Sequence, residues 1–308
     1  MAKRRLRVAV VAAEAAGVQV LQGLSTLETN PEIVAVLTPS GCEGAERPVV
    51  FQAAQRLGLD VWPSSSVKSP ELAPRLQSAD VDLLLNVHSL HLIHPSVLAA
   101  PSIGSFNLHP GPLPEYAGLN VPSWTIYRGE PFHGVTLHWM DAGIDTGPIA
   151  WQERFPIDAS DTGLSVSGKC VRSGVPLILR LVRMAADDPG AIPRQEQDLN
   201  RREYFPAGPP AEGRIDWAQP ANSILRFVRA SDYAPFLSPW GHPLAELGGR
   251  AVGIAKATET GVVATEQPGA VVEANESGAV VATGDELILV RRLWLDGRYL
   301  KPAELLDH

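Results

Sequence analysis

The chain has 308 residues, 45% of them hydrophobic and 19% charged, with a formal net charge of -8. That length exceeds what one compact core usually needs and predicts two domains, while the composition excludes a disordered chain. No run approaches the roughly 18–20 apolar residues that span a bilayer, so no membrane partner is expected, and the acidic balance argues against a polyanionic one.

The opening MAKRRLRVAVVAAEAAG is basic and then apolar, as a signal peptide would be. The alternation from Leu6 to Val11, followed by the polar Glu14, reads better as a first buried strand. Two cysteines, Cys42 and Cys170, show neither CxxC spacing nor a disulfide framework, which fits a reducing cytoplasm. Strand and helix then alternate. Leu6 to Ala12 predicts a strand, Gly17 to Glu28 a helix, Ile33 to Leu37 a strand, Arg47 to Leu57 a helix and Leu59 to Trp62 a strand. Val81 to Asn86 is a continuous apolar run, the mark of a parallel strand buried on both faces. A helical turn at Pro95 to Ala99 and a strand at Ile103 to Leu108 follow. This order predicts an open α/β sheet with its ligand site at the carboxyl ends of the strands.

Val135 to Met140 and Ile149 to Phe155 predict two strands around a loop from Asp141 to Pro148. Thr162 to Met184 predicts a long helix with a break near Gly174 and Pro176. The polar, proline-bearing stretch Asp187 to Gln197 and the Pro/Gly-rich Phe205 to Gly213 mark a linker, giving domains at 1–204 and 205–308. Beyond it come one helix, Ala221 to Ser231, and short strands at Ala251 to Ala257, Ala270 to Glu273, Ala279 to Ala282 and Leu287 to Leu293. Their spacing predicts a small β-barrel or sandwich.

Strand one runs into AAEAAG, which is not GxGxxG, and no GxxxxGK[ST] occurs, so dinucleotide and P-loop sites are not expected. His88, His91 and His94 are spaced by three, but no Cys, Asp or Glu nearby completes a ligand set, and a His-rich loop is the plainer reading; no metal is expected. In FNLHPGPLPEYAG, Asn107 and His109 alternate with Phe106 and Leu108, so an amide and an imidazole share one face of a strand end. Pro110 and Gly111-Pro112 then turn the chain. The alternative is a turn with a satisfied histidine. HWMDAGIDTGPI is a second such loop, with Asp141 and Asp145 among Gly143 and Gly147; its alternative is an Asp-Gly hairpin.

Together these segments resemble the 10-formyltetrahydrofolate-dependent formyltransferase family, which includes methionyl-tRNA, glycinamide ribonucleotide, amino-sugar and hydroxyornithine formyltransferases. The first signature stands here as Asn107, His109, Leu113, Pro114 and Gly118, the second as Asp141, Gly143, Asp145, Thr146 and Gly147. Tyr204 to Trp217 and Val281 to Leu306 resemble the start and end of the family's C-terminal domain. The resemblance implies a Rossmann-like catalytic domain followed by a smaller, OB-like C-terminal β-barrel. It implies that Asn107 donates to a developing oxyanion, that His109 takes the amine proton or stabilises charge, and that Asp145 orients His109 and raises its pKa. It also implies a pterin held by the segment Leu85, Asn86, Val87, His88 and Leu90 and by Asp141, Gly143 and Ile144, largely through backbone groups.

Two features bear on the acceptor. Where tRNA-directed members carry a basic insertion, Thr38 to Val50 is short and acidic, and the chain from Phe205 onward holds nine Lys or Arg against thirteen Asp or Glu. Both point to a small amine, such as hydroxyornithine or an amino sugar, rather than tRNA. Methionyl-tRNA formyl transfer and hydrolysis of the donor remain the alternatives. Tyr233, Phe236 and Trp240 line either an acceptor pocket or a domain interface. A homodimer is compatible with the sequence, which does not fix the oligomeric state.

Overall fold

The computed structural model describes residues 4–39 and 48–306, so Cys42 and most of the short acidic segment Thr38 to Val50 lie outside the described residues. Contacts divide the chain into two compact units, and not by a single cut. The first holds the chain up to Ala117 together with Gly134–Arg154 and Lys169–Tyr204; the second holds Gly118–His133, Phe155–Gly168 and the chain from Phe205. A boundary drawn on composition at residue 204 does not register the two earlier excursions.

The first unit is built on β1 (Arg7–Ala12), α1 (Glu14–Ser25), β2 (Glu32–Thr38), α2 (Val49–Arg56), β3 (Val61–Pro63), α3 (Leu72–Ser78), β4 (Leu83–Val87), α4 (Pro95–Leu98) and β5 (Gly104–His109). After the two-residue β6 (Ala117–Gly118) and α5 (Val121–Arg128) come β7 (Phe132–Trp139), β8 (Ile149–Pro156) and α6 (Gly163–Asp187). The sheet order is β3-β2-β1-β4-β5-β7-β8. β3, β2, β1, β4 and β5 run parallel, and β7 lies antiparallel on β5. This is a doubly wound sheet whose strand order reverses beside β1, where such folds keep their sites. Every residue of β4 is buried, as is Val8 to Ala12 of β1, which is why both read as largely apolar runs, with Asn86 the polar exception.

α6 differs from expectation: it runs unbroken through Pro176. A proline inside a helix removes one hydrogen bond and costs about 3 kcal/mol. Leu177, Ile178, Leu181 and Val182 are each buried, and one such side chain contributes about 2 kcal/mol, so packing outweighs the defect. Gly174 makes the close approach: a Cβ there would lie 3.0 Å from Leu108 and 3.1 Å from Val135.

Beyond the short β9 (Tyr204–Phe205), the second unit continues with α7 (Ala221–Ala230), β10 (Leu244–Leu247), β11 (Arg250–Val263), β12 (Val271–Asn275), β13 (Gly278–Ala282), β14 (Glu286–Leu295), β15 (Arg298–Leu300) and α8 (Ala303–Leu306). The strands form an antiparallel half-barrel in the order β10-β11-β14-β13-β12, with β15 on β14. Its core joins Ile224, Leu225 and Val228 of α7 to Val252, Ile254, Ile288 and Val290. α5 packs on α7, with Tyr127 edge-on to Phe227 at 5.4 Å between ring centres.

Candidate active site

Asn86 on β4, Asn107 on β5 and His138 on β7 stand opposite one another in register. Side chains at paired positions share a face, so three polar groups form a row across the carboxyl end of the sheet. Hydrogen bonds fix each orientation in turn. The Ser89 carbonyl can only accept, so the Asn86 atom 3.2 Å from it is Nδ2. That Nδ2 also donates to Asn107 Oδ1 at 2.9 Å. The Asn107 Nδ2 therefore points the other way, 3.1 Å from His138 Nε2 and 3.3 Å from Asp145 Oδ1. His138 Nδ1 lies 2.7 Å from the Trp139 carbonyl and must carry the hydrogen, leaving Nε2 to accept from Asn107.

His109 sits two residues beyond Asn107, on the same face and buried. Its Nε2 donates to the Tyr116 carbonyl at 2.6 Å, so Nδ1 keeps its lone pair. That lone pair faces Asp145 Oδ2 at 3.6 Å, too long for a hydrogen bond. Asp145 Oδ1 is also 3.6 Å from His138 Nε2. The turn after His109 is pinned by Thr136, which donates to the Gly111 carbonyl at 2.7 Å and accepts from Leu113 N–H at 3.1 Å. Asp145 itself has φ 56°, in the left-handed region. Within its loop, Asp141 accepts from Gly143 N–H at 3.0 Å and the Thr146 hydroxyl at 2.7 Å. A Cβ on Gly147 would run into the Trp139 carbonyl, so only glycine lets the loop close here.

Burial decides the protonation state of His109. Asp145 does pull the His109 pKa upward, as does the Tyr116 carbonyl, but burial outweighs both, and His138 pushes the same way as burial. His109 therefore titrates below the usual imidazole range and is neutral at pH 7. Burial, with His109 nearby, pushes His88 down to about 4.

Of the expected pterin-contacting residues, Leu85 and Val87 have their side chains wholly in the core, so only their backbone can meet a ligand. Asn86 joins the polar row. His88 follows β4 with φ 56°. Asn86 Oδ1 and His88 Nε2 are buried with no hydrogen-bond partner among the described residues. Leu90 and Ile144 are 80% and 42% exposed. Asn86 Oδ1 and His88 Nε2 are two buried polar groups in and next to β4 whose chemistry suits a ligand that brings its own polar groups.

His138 was missed from sequence; its strand position opposite Asn107 was the available signal, and it needs the β5–β7 register to be seen. His91 and His94 leave the row, bonding to Ser64 and Ser96. Among the described residues no group of three or more His, Cys, Asp or Glu is placed to hold a metal, and no helix is long and apolar enough to cross a membrane. Tyr233, Phe236 and Trp240 have three different surroundings. The Tyr233 hydroxyl bonds to Ser123 at 3.0 Å, Trp240 is buried edge-on to Trp124, and Phe236 is exposed.

The formyl transferase family model matches residues 5–181, and that of the formyl transferase C-terminal domain matches residues 209–307. A methionyl-tRNA formyltransferase of Synechococcus sp. (strain JA-3-3Ab) is 32% identical over 248 residues, covering 80% of this chain and 76% of that protein. One from Stenotrophomonas maltophilia (strain K279a) is 32% identical over 286 residues and covers 90% of each. Among solved structures, an N-formyltransferase from Helicobacter canadensis, in complex with folinic acid and dTDP-3-aminofucose, shares the fold at TM-score 0.67 and 19% identity, covering 92% of this chain and 98% of that one. HypX from Aquifex aeolicus, in complex with tetrahydrofolic acid, superposes at TM-score 0.66 and 19% identity; 98% of this chain spans 47% of HypX, about half its length.

Proposed function

The chain belongs to the formyl transferase family, and we propose that it moves a formyl group from 10-formyltetrahydrofolate to the amine of a small molecule. The observation that carries the reaction is the cluster of Asn107, His109 and Asp145 at the end of β5. The donor substrate supplies the activated formyl carbon. A neutral amine attacks it, and the carbonyl electrons move to oxygen. The Asn107 Nδ2–H that reaches Asp145 at 3.3 Å is its weaker bond and the one free to turn to that oxygen. His109 Nδ1, neutral and holding its lone pair, takes the proton released by the attacking nitrogen. The imidazolium so formed lies against Asp145. Collapse restores the C=O and breaks the bond to the folate nitrogen, which leaves carrying the proton handed back by the His109 imidazolium.

The acceptor reading rests on charge. From Phe205 onward thirteen Asp or Glu face nine Lys or Arg, where a surface that grips a polyanion carries the opposite excess. The second reading, methionyl-tRNA as acceptor, is favoured by the relatives so named at 32% identity. The deciding experiment supplies 10-formyltetrahydrofolate with methionyl-tRNA, a nucleotide-linked amino sugar and hydroxyornithine in parallel and follows release of tetrahydrofolate. Faster turnover of a small amine is expected; methionyl-tRNA outrunning every amine overturns the acceptor assignment. Formate release without any amine marks a hydrolase.

A further inference from the structure

The Asp145 loop is held from outside by a stretch that no motif singles out. Trp139 Nε1 donates to the Pro193 carbonyl at 2.8 Å, and Ile149 exchanges backbone bonds with Gln195 at 2.8 and 2.9 Å. Residues 193–202 are thus tied to the strand that enters the loop and to the one that leaves it. From this strap Gln197 Nε2 donates to the carbonyls of Asp145, at 3.0 Å, and Gly147, at 2.6 Å. The Arg202 guanidinium donates to the carbonyl of Ile144 at 2.9 Å. Three of the four carbonyls from 144 to 147 are therefore captured by two side chains more than 49 residues downstream.

The capture coincides with strain. A left-handed backbone at a non-glycine residue is strained, and Asp145 adopts one, with φ 56°. The clamp also leaves Gln197 Oε1 and Arg202 Nε buried without a partner among the described residues. Buried groups left unsatisfied are destabilising, so the contact is poorly arranged for stability alone. It is well arranged for holding one residue's carboxylate in one place.

We propose that Gln197 and Arg202 are positioning residues that hold Asp145 between His109 and His138, a role resting on the reading of Asp145 given above. Neither touches the reacting atoms. Their effect passes through the backbone of the loop, where a displacement on the order of 1 Å changes rates by about 100-fold.

The test uses the full chain, 10-formyltetrahydrofolate and the acceptor that turns over fastest in the panel above, with Gln197→Ala, Asp145→Asn and their combination. Two further readouts are His109 titration by imidazole NMR and affinity for 5-formyltetrahydrofolate. Gln197→Ala is expected to lower kcat by about 10- to 100-fold with 5-formyltetrahydrofolate affinity kept within about 3-fold. It should move the His109 titration the same way as Asp145→Asn, and the combination should be no slower than Asp145→Asn alone. Arg202→Ala should act likewise and Arg202→Lys should restore part of the rate, which covers the case in which Gln197→Ala does not fold. Wild-type kcat in Gln197→Ala, full additivity with Asp145→Asn, or joint loss of stability and affinity with His109 unmoved overturns the proposal. If Asp145→Asn itself changes neither rate nor titration, it is the role of Asp145 that fails instead.

Discussion

Replacing Asp145 by Asn keeps the side chain's shape and removes its charge. The carboxylate lies 3.6 Å from His109 Nδ1, and its side chain is only 9% exposed. Unit charges about 4 Å apart attract by about 1 kcal/mol at the dielectric of water and about 4 kcal/mol at an effective value of 20, the more suitable figure for so enclosed a pair. In the proposed mechanism the charge matters most after His109 has taken the proton, so the loss falls on the transition state. It amounts to roughly 10- to 1,000-fold in kcat/KM. The pH profile supplies the sign. Asp145 raises the His109 pKa, so removing it must lower that pKa further. Activity that needs neutral His109 rises as pH climbs through that pKa, and in Asp145→Asn this acid limb must sit at lower pH than in wild type. The assay is kcat/KM between pH 5 and 9 for both proteins. An acid limb displaced upward, or an undiminished rate, would refute the arrangement.

Asn107→Ala should cost about 3 kcal/mol of barrier, on the order of 100-fold in kcat, with 5-formyltetrahydrofolate affinity largely kept; equal losses in both would deny it the oxyanion role. His88 links stability to acid. Its folded pKa of about 4 against an ordinary 6.5 means the stabilisation is complete above pH 6.5 and is lost as pH falls toward 4, by about 3 kcal/mol in all. Urea unfolding at pH 7, 5.5 and 4.5 should show a shallower decline in His88→Gln, and identical slopes would remove His88 as the cause. Gly147→Ala should lower Tm and activity together, because a Cβ meets the Trp139 carbonyl and such overpacking costs about 1–3 kcal/mol; a variant as stable as wild type contradicts the loop geometry.

Elements with one strong local signal were legible. The valine-rich run of β1 and the leucine-rich run of β4 read as buried strands because both their faces are covered. α5 was not, since its buried residues include Ser123 and Thr125, which hydropathy does not flag. The break expected at Pro176 was a local preference overruled by the packing of α6. The same limit applies to Trp240, whose residue type left a pocket lining and an interface both open and which is buried against Trp124.

By itself the sequence singled out the side chains to which the proposed reaction is assigned. Asn107 and His109 share a face because a strand has period two, and the spacing of Asp141, Gly143, Asp145 and Gly147 makes a tight loop wherever it is placed. Tertiary structure alone decided how these groups are oriented and charged. The orientation of the Asn107 amide depends on Asn86 and His138, 21 and 31 residues away, which meet it only through strand register. The neutrality of His109 follows from burial by elements scattered along the chain, and it reversed the shift that the neighbouring aspartate alone would produce. The hold on Asp145 comes from Gln197 and Arg202, which no local pattern marks. Spacing is a property of neighbours in the chain, whereas burial and hydrogen-bond partners are properties of neighbours in space.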